Sequence, residues 1–343
     1  CLIMGGKSDD KDKTIKEALT DTLVQSITRL SEENGDVDAE IRRLSSFLSG
    51  QYTSKFANEF TVSEILGIGG GGCVFKTVNK LDEANYAVKR IAVDKERENM
   101  KKTLREVRAM AQLDHPGIVR YNSTWIEEPP VEWQYHADEE TLERIKSKKR
   151  QLMQYNANSV FIYIQMQLCK YSLAEWLDKE DSMNVASRNL PRMKMWFKQI
   201  VAAVEYIHDK NLIHRDLKPG NILFVENDRV KICDMGIVTE KKVEDGMEVT
   251  MTQTGSGTPE YMSPEQQALF SQLSTKSDIF TLGLILAELC VPMNYDKKAK
   301  IFENFRRGKP NNIFSDERTA AFVSLLTDVD RKKRPTCRKM LDD

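Results

Sequence analysis

What is scarce in this 343-residue chain narrows the field first. Its six cysteines, Cys1, Cys73, Cys169, Cys233, Cys290 and Cys337, are scattered, and no C-x-x-C pair occurs. That usage predicts a reduced, intracellular protein and argues against a disulfide framework or a thiolate zinc site. No apolar run approaches the roughly 18–20 residues needed to cross a bilayer, and no secretory signal pattern is present. A dominant charge sign is missing too: 51 Lys and Arg against 52 Asp and Glu leave a net charge of −1. Nothing therefore drives the whole chain onto nucleic acid or an anionic membrane. There is no internal repeat. The chain starts at Cys1, which predicts a fragment of a longer protein and leaves an upstream anchor open. What remains, 40% hydrophobic and 30% charged, is ordinary globular composition with length for one two-lobed domain or two domains.

Hydrophobic periodicity divides the chain. After a polar stretch at 1–13, Ile15, Leu19, Leu23, Ile27 and Leu30 recur at helical spacing, as do Val37, Ile41, Leu44 and Leu48. These predict two amphipathic helices in an N-terminal extension, 1–58. From residue 59 the pattern turns β-rich, with strands expected over 65–78 and 85–91, a helix over 95–113, and strands over 118–126 and 160–168. The polar stretch 127–159, with its charged segment 139–150, reads as an insert; Lys146, Lys148, Lys149 and Arg150 are expected on a solvated helix face. Beyond 169 helices are expected over 173–178, 192–210, 276–289, 298–307 and 319–326, with short strands over 222–225 and 230–232. A β-rich lobe (59–168) followed by a helical lobe (169–343) is an α+β, two-lobed arrangement.

The chemistry concentrates in His214-Arg215-Asp216-Leu217-Lys218-Pro219-Gly220-Asn221. An acid, a cation and an amide within six positions of one loop suit phosphoryl transfer, which needs a group to orient a hydroxyl, a countercharge and a metal ligand. One short motif is only a hypothesis, but companions appear in order. Gly67-Ile68-Gly69-Gly70-Gly71-Gly72-Cys73-Val74 lies between two strands, where glycines let backbone N–H groups approach phosphates. No helix opens behind it, which argues against a dinucleotide-binding loop. Lys89 ends the apolar Tyr86-Ala87-Val88 and is placed to reach phosphates, with Glu106 on the next helix as an ion-pair partner. Asp234-Met235-Gly236 supplies a further carboxylate, and Gly257-Thr258-Pro259-Glu260-Tyr261-Met262-Ser263-Pro264-Glu265 closes a Thr/Ser-rich segment suited to a switch loop. Each motif alone has a plain structural alternative: a glycine-rich hairpin, a snorkelling strand-edge lysine, a solvated helix glutamate. Their joint order and spacing, with Ser277-Asp278-Ile279 and Arg334-Pro335-Thr336 after them, decide against coincidence.

In that order the motifs resemble the eukaryotic protein kinase family from about residue 60 to the end. The resemblance implies a bilobal kinase fold, ATP and Mg²⁺ as cofactors, and roles for named residues. Asp216 is then the catalytic base, Lys218 the cation on the moving phosphate, and Asn221 and Asp234 the metal ligands. Lys89 and Glu106 pair to position ATP. Gly67 to Val74, Ala87, the gatekeeper Met166, Gln167 and Cys169 line the nucleotide. Glu265 and Arg334 form a buried bridge. Lysine two places after the catalytic aspartate resembles serine/threonine rather than tyrosine kinases. Met235 stands where the family has Phe, and Gly71 where a loop-tip aromatic is common; neither removes chemistry.

Finer stretches narrow the group. Phe161 to Cys169 (F-I-Y-I-Q-M-Q-L-C) and Tyr261 to Gln266 (Y-M-S-P-E-Q) resemble the kinases of the alpha subunit of translation initiation factor two, which repress translation under stress. His115 to Tyr121, Glu128 to Gln134 and Asp278 to Leu286 are most similar to its PKR-like endoplasmic reticulum branch, with the haem-regulated branch as the alternative. The resemblance implies that factor as substrate, a homodimer through Lys55 and Glu59, and autophosphorylation at Thr254 or Thr252 with Arg215 as the phosphate's cationic partner. It also implies substrate docking on the helix over 298–307, with Lys300, Arg306 and Arg307 on its face. It implies no nucleic-acid partner, and a cytoplasmic location or, with an upstream anchor, the cytosolic face of the endoplasmic reticulum. A kinase-fold scaffold with weak catalysis is the reading from another class.

Overall fold

The computed structural model describes residues 52–69, 72–94, 98–147, 152–179, 188–234, 239–240, 243–244, 247–248, 250–251, 257–268, 272–309 and 312–342. The helices expected before residue 49 lie outside the described residues, as do Gly70, Gly71, Lys148, Lys149, Arg150, Met235, Gly236, Thr252 and Thr254.

A short helix, α1 (Lys55–Glu59), leads into β1 (Phe60–Gly69), β2 (Gly72–Asn79) and β3 (Asn85–Asp94). Then follow α2 (Glu98–Ala111), β4 (Tyr121–Glu127), α3 (Val131–Arg144) and β5 (Ser159–Gln167). The five strands form one antiparallel sheet in the order β1-β2-β3-β5-β4. Successive side chains of a strand point to opposite faces, so register sorts the residues. Val74, Lys89 and Ile164 are cross-strand neighbours on one face, with Ala87 and Met166 two positions along. Cys73, Arg90, Tyr163 and Trp125 are neighbours on the other. Both faces are covered, which is why β5 reads as a nearly unbroken apolar run rather than an alternation.

The face with Arg90 carries an aromatic layer. Trp125 stacks on Tyr163 at 5.1 Å and on Phe60 at 5.7 Å, while Phe56 of α1 stacks on Tyr163 at 4.9 Å. Glu127 fastens α1 there: its Oε1 accepts from the Phe56 N–H at 2.8 Å and from Trp125 Nε1 at 2.7 Å. The insert covers the rest. It holds a helix, α3, that begins at Val131, ahead of the charged segment, and buries Gln134, Asp138 and Leu142. Lys146 beyond it is exposed, as expected.

The second lobe contains β6 (Tyr171–Ser172), α4 (Leu173–Leu177), α5 (Leu190–Asp209), β7 (Leu212–Ile213), β8 (Ile222–Phe224) and β9 (Val230–Ile232). Short pairs follow: β10 (Thr239–Glu240), β11 (Val243–Glu244), β12 (Met247–Glu248) and β13 (Thr250–Met251). The chain continues through α6 (Pro264–Gln267), β14 (Gln272–Leu273), α7 (Thr275–Cys290), α8 (Tyr295–Arg306), α9 (Glu317–Leu326) and α10 (Cys337–Asp342). Every residue of α7 from Ser277 to Leu289 is buried, the signature of a helix at the centre of a lobe rather than on its surface. Asn189 caps α5, accepting from the Arg192 N–H at 3.0 Å, and Asn211, in left-handed conformation (φ 59°), turns the chain out of it into β7. No helix among the described residues is long and apolar enough to cross a membrane.

The strand expected from residue 118 starts only at Tyr121. Gly117 to Val119 instead bind the other lobe: the Ile232 N–H donates to Gly117 O at 2.8 Å and the Val119 N–H to Ile232 O at 2.9 Å. This stitch fixes β9, and the loop after it, under the sheet.

Candidate active site

The loop 214–221 is held from below by one buried carboxylate. Asp278, in the first turn of α7 and 1% exposed, accepts from the backbone N–H of His214 and of Arg215 at 2.9 Å each. His208 of α5 bonds its Oδ2 at 2.8 Å. Burial pushes this carboxyl up, but the hydrogen bond from His208 and that from the Arg215 amide outweigh it and hold Asp278 below the usual carboxylate range. An acid opening an otherwise apolar core helix was the signal available for this role, since a fully buried aspartate is exceptional unless partnered. His214 is buried and its pKa is depressed by desolvation, so the ring stays neutral and accepts the Asp216 N–H on Nδ1 at 3.3 Å.

Above this base the predicted residues converge. Asp216 Oδ1 accepts from the Thr258 N–H and Oγ1–H at 2.8 Å each. Lys218 Nζ donates to Asp216 Oδ2 at 2.8 Å and to Thr258 Oγ1 at 2.7 Å. Asn221 Nδ2 donates to Asp216 O at 2.8 Å and to its Oδ2 at 3.2 Å. With the amide nitrogen so used, Asn221 turns its remaining oxygen, Oδ1, to other chemistry. The Cys233 N–H donates to Asn221 O at 2.9 Å, which brings Asp234 beside the loop.

Asp234 sits in left-handed conformation (φ 59°) and bonds Lys89 Nζ at 2.8 Å across the two lobes. Burial raises its pKa, but the charge and hydrogen bond of Lys89, with the charge of Lys218, overcompensate and keep the carboxylate ionised. Glu106 lies on α2; its side chain is outside the described residues. Val74, Ala87 and Met166 line the same face as Lys89, whereas the Cys73 side chain is fully buried in the aromatic layer opposite, so only its backbone faces the glycine loop. A Cβ on Gly67 or Gly69 would meet nothing within 4 Å, so packing does not require these glycines and the space beside them is open. Met166 walls a cavity with Met110, Leu113, Ile118, Val119, Ile232, Cys233 and Asp234. At Cys169, on the connection between lobes, burial pushes the thiol up to about 11 against the pull of Lys231.

The group fits ATP with Mg²⁺. Two oxygen donors, Asp234 and Asn221 Oδ1, suit a hard cation that takes its other ligands from phosphate and water. A lysine and an open glycine hairpin suit the phosphates. Among the described residues no cluster of three or more His, Cys, Asp or Glu forms a self-sufficient metal cage.

The segment after Thr258 is clamped by α8. Lys298 bonds Glu260 at 3.0 Å and Glu288 at 3.1 Å, and Arg306 donates to the carbonyls of Met262 (3.0 Å) and Glu260. This corrects one expectation: Arg306 is turned inward and only 10% exposed, so it is not on the outer face of the helix, and Arg307 is paired with Glu303 at 2.6 Å. Glu265 and Arg334 form the expected buried bridge at 2.6 Å.

Known proteins resemble this chain in one family model and in three relatives. A family model described as "Protein kinase domain" matches residues 60–343. The chain is 36% identical over 298 residues to the "Interferon-induced, double-stranded RNA-activated protein kinase" of Rattus norvegicus, covering 86% of this chain and 53% of that protein. It is 24% identical over 533 residues to the "Eukaryotic translation initiation factor 2-alpha kinase pek-1" of Caenorhabditis elegans (96% and 49%), and 26% identical over 378 residues to the "eIF-2-alpha kinase GCN2" of Schizosaccharomyces pombe (84% and 23%). The chain thus spans about half the length of the first two relatives. These matches do not single out the endoplasmic reticulum branch.

Proposed function

Since the chain belongs to the protein kinase family, we propose that it transfers a phosphoryl group from ATP to serine or threonine hydroxyls of the alpha subunit of translation initiation factor two, and so represses translation under stress. The observation that carries the catalytic reading is the three-way contact of Asp216, Lys218 and Thr258. A hydroxyl bonded to a carboxylate on one side and an ammonium on the other is the arrangement an attacking substrate hydroxyl needs. ATP with Mg²⁺, when bound, supplies the phosphoryl group and its countercharge. Asp216 orients the hydroxyl and takes its proton at Oδ1 or Oδ2. Lys218 offsets charge building on the oxygens in flight. Lys89 would hold phosphate, and Asp234 and Asn221 would hold the metal. The substrate assignment draws on the names of the relatives and on the motif resemblance.

Phosphate transfer to the purified alpha subunit tests both levels. Asp216→Asn is expected to lower turnover by at least about 10³-fold, the loss typical of removing a catalytic acid–base, while ATP still binds. Turnover near wild type in that variant overturns the catalytic assignment. An active wild type that leaves the alpha subunit unlabelled and labels other proteins overturns the substrate. A wild type that dimerises yet transfers nothing favours the scaffold reading.

A further inference from the structure

The catalytic loop contains a backbone position that its own residue does not favour. Arg215 has φ 70°, the left-handed region that L residues other than glycine rarely adopt. Its peptide link to Asp216 decides where the Asp216 side chain points. The Arg215 N–H is held by Asp278 Oδ1 at 2.9 Å, and the Asp216 N–H by His214 Nδ1 at 3.3 Å. The remaining group of that stretch, the Arg215 carbonyl, accepts a 2.9 Å hydrogen bond from Gln266 Nε2.

Gln266 is suited to this task. It is 7% exposed, on the short helix α6. Its Oε1 accepts from both the Ser263 N–H and Oγ–H at 3.1 Å, which fixes the amide so that Nε2 faces Arg215. The neighbouring Glu265 is bolted to Arg334 at 2.6 Å and 3.0 Å, so α6 itself is anchored to the base of the lobe. Left unbonded, a buried carbonyl would draw the 215–216 peptide toward another orientation, since buried main-chain groups seek partners. Rotation of that peptide would turn ψ of Arg215 and φ of Asp216 and so carry Asp216 off Thr258 and Lys218.

We propose that Gln266 is a positioning residue for phosphoryl transfer: by binding the Arg215 carbonyl it locks the 215–216 peptide that aims Asp216. This rests on the kinase reading above. It extends that reading to a residue that touches neither nucleotide nor substrate. It also predicts a split that a general packing role would not give. The described residues that would hold ATP with its metal, in the other lobe, at Cys169 and at Asp234 and Asn221, make no contact with Gln266, so nucleotide binding is spared while turnover falls.

The test compares Gln266→Met and Gln266→Glu with wild type in the full chain, measuring kcat, KM for ATP, ADP affinity and melting temperature. Met fills the same volume without the amide, and kcat is expected to fall roughly ten-fold, the effect of one buried hydrogen bond, with KM for ATP and ADP affinity within about two-fold of wild type. Glu reads the same bond through pH. Ionised, it faces the Arg215 carbonyl with a lone pair; protonated, it donates to it as Gln266 does. The kcat of Gln266→Glu relative to wild type is therefore expected to rise as pH falls from 8 to 5.5. A wild type without activity refutes the kinase reading and leaves nothing for Gln266 to position. An active wild type with kcat unchanged in Gln266→Met and a flat relative pH profile in Gln266→Glu overturns the inference. So does loss of ADP binding in step with kcat, which marks a folding role instead.

Discussion

At the scale of single residues, function here depends on backbone conformations that side-chain chemistry alone does not announce. Arg215 and Asp234 both take left-handed φ at catalytic positions, as strained residues do where surroundings over-determine them. Gly72 is the complementary case. Its φ of +112° suits glycine, and an added Cβ would stand 2.2 Å from the Arg90 carbonyl oxygen, a backbone atom that cannot yield cheaply. Of the six-residue run 67–72, Gly72 is thus required by the fold, whereas Gly67 and Gly69 leave open space. Gly72→Ala is expected to destabilise the protein by about 2–3 kcal/mol, read as a lower midpoint in urea unfolding. Gly67→Ala is expected to leave that midpoint within about 0.5 kcal/mol of wild type and to weaken ATP binding instead. Motif spacing singled out Lys89, Asp216, Asn221 and Asp234, which the fold brings together, because the roles proposed for them need particular chemistry at particular intervals. Gln266 escaped it, because an amide binding a distant carbonyl leaves no periodic trace.

At the scale of elements, the insert is the part whose organisation could not be read from polarity. Arg90, next in sequence to Lys89, points to the opposite sheet face and is 2% exposed. Its guanidinium makes two bonds to Asp138 of α3, at 2.8 Å and 2.9 Å, and lies between the rings of Phe75 and Phe161 at 5.2 Å and 5.3 Å. Gln134 donates to the same carboxylate at 2.8 Å. A polar insert shows no partner for Asp138 until an arginine from elsewhere meets it, and that arginine is 48 residues away in sequence. Removing one partner of a buried pair leaves the other uncompensated. Asp138→Ala is therefore expected to cost about 3–5 kcal/mol, and the double variant Arg90→Met, Asp138→Leu to recover most of it. Chemical denaturation of both decides. The same logic explains α8: Arg306 was expected on the outer face of the helix, but it and Lys298 both reach inward to the segment that carries Thr258.

At the scale of the molecule, two of the joints between the lobes differ in kind: the backbone stitch between Gly117–Val119 and Ile232, and the ion pair of Lys89 with Asp234. The first is made of main-chain bonds and does not depend on ligand; the second lies in the nucleotide site and would be remade when phosphate and metal arrive. Assembly beyond one chain belongs to this scale too. Lys55 and Glu59 are half-exposed on α1, 3.8 Å apart, with Lys55 also 5.0 Å from the Trp125 ring. Within one chain such a pair contributes only about 0.3–0.5 kcal/mol, so it can exchange partners with a second copy at little cost. The proposed homodimer predicts that Lys55→Asp weakens self-association in sedimentation and that adding Glu59→Lys restores it. No change in either variant refutes the interface.

By itself the sequence determined the two-lobed α+β class and the motif order on which the proposed catalytic set rests, since periodicity and motif order are local properties and survive without coordinates. Only the tertiary structure decided which face each strand residue serves, that the insert is built into the sheet through Asp138, that Arg306 points inward, and that Asp278 and Gln266 hold the catalytic loop from below. Those facts depend on pairings between residues dozens of positions apart. Their energy comes from burial and from the absence of any other partner, and neither is written in the spacing of the chain.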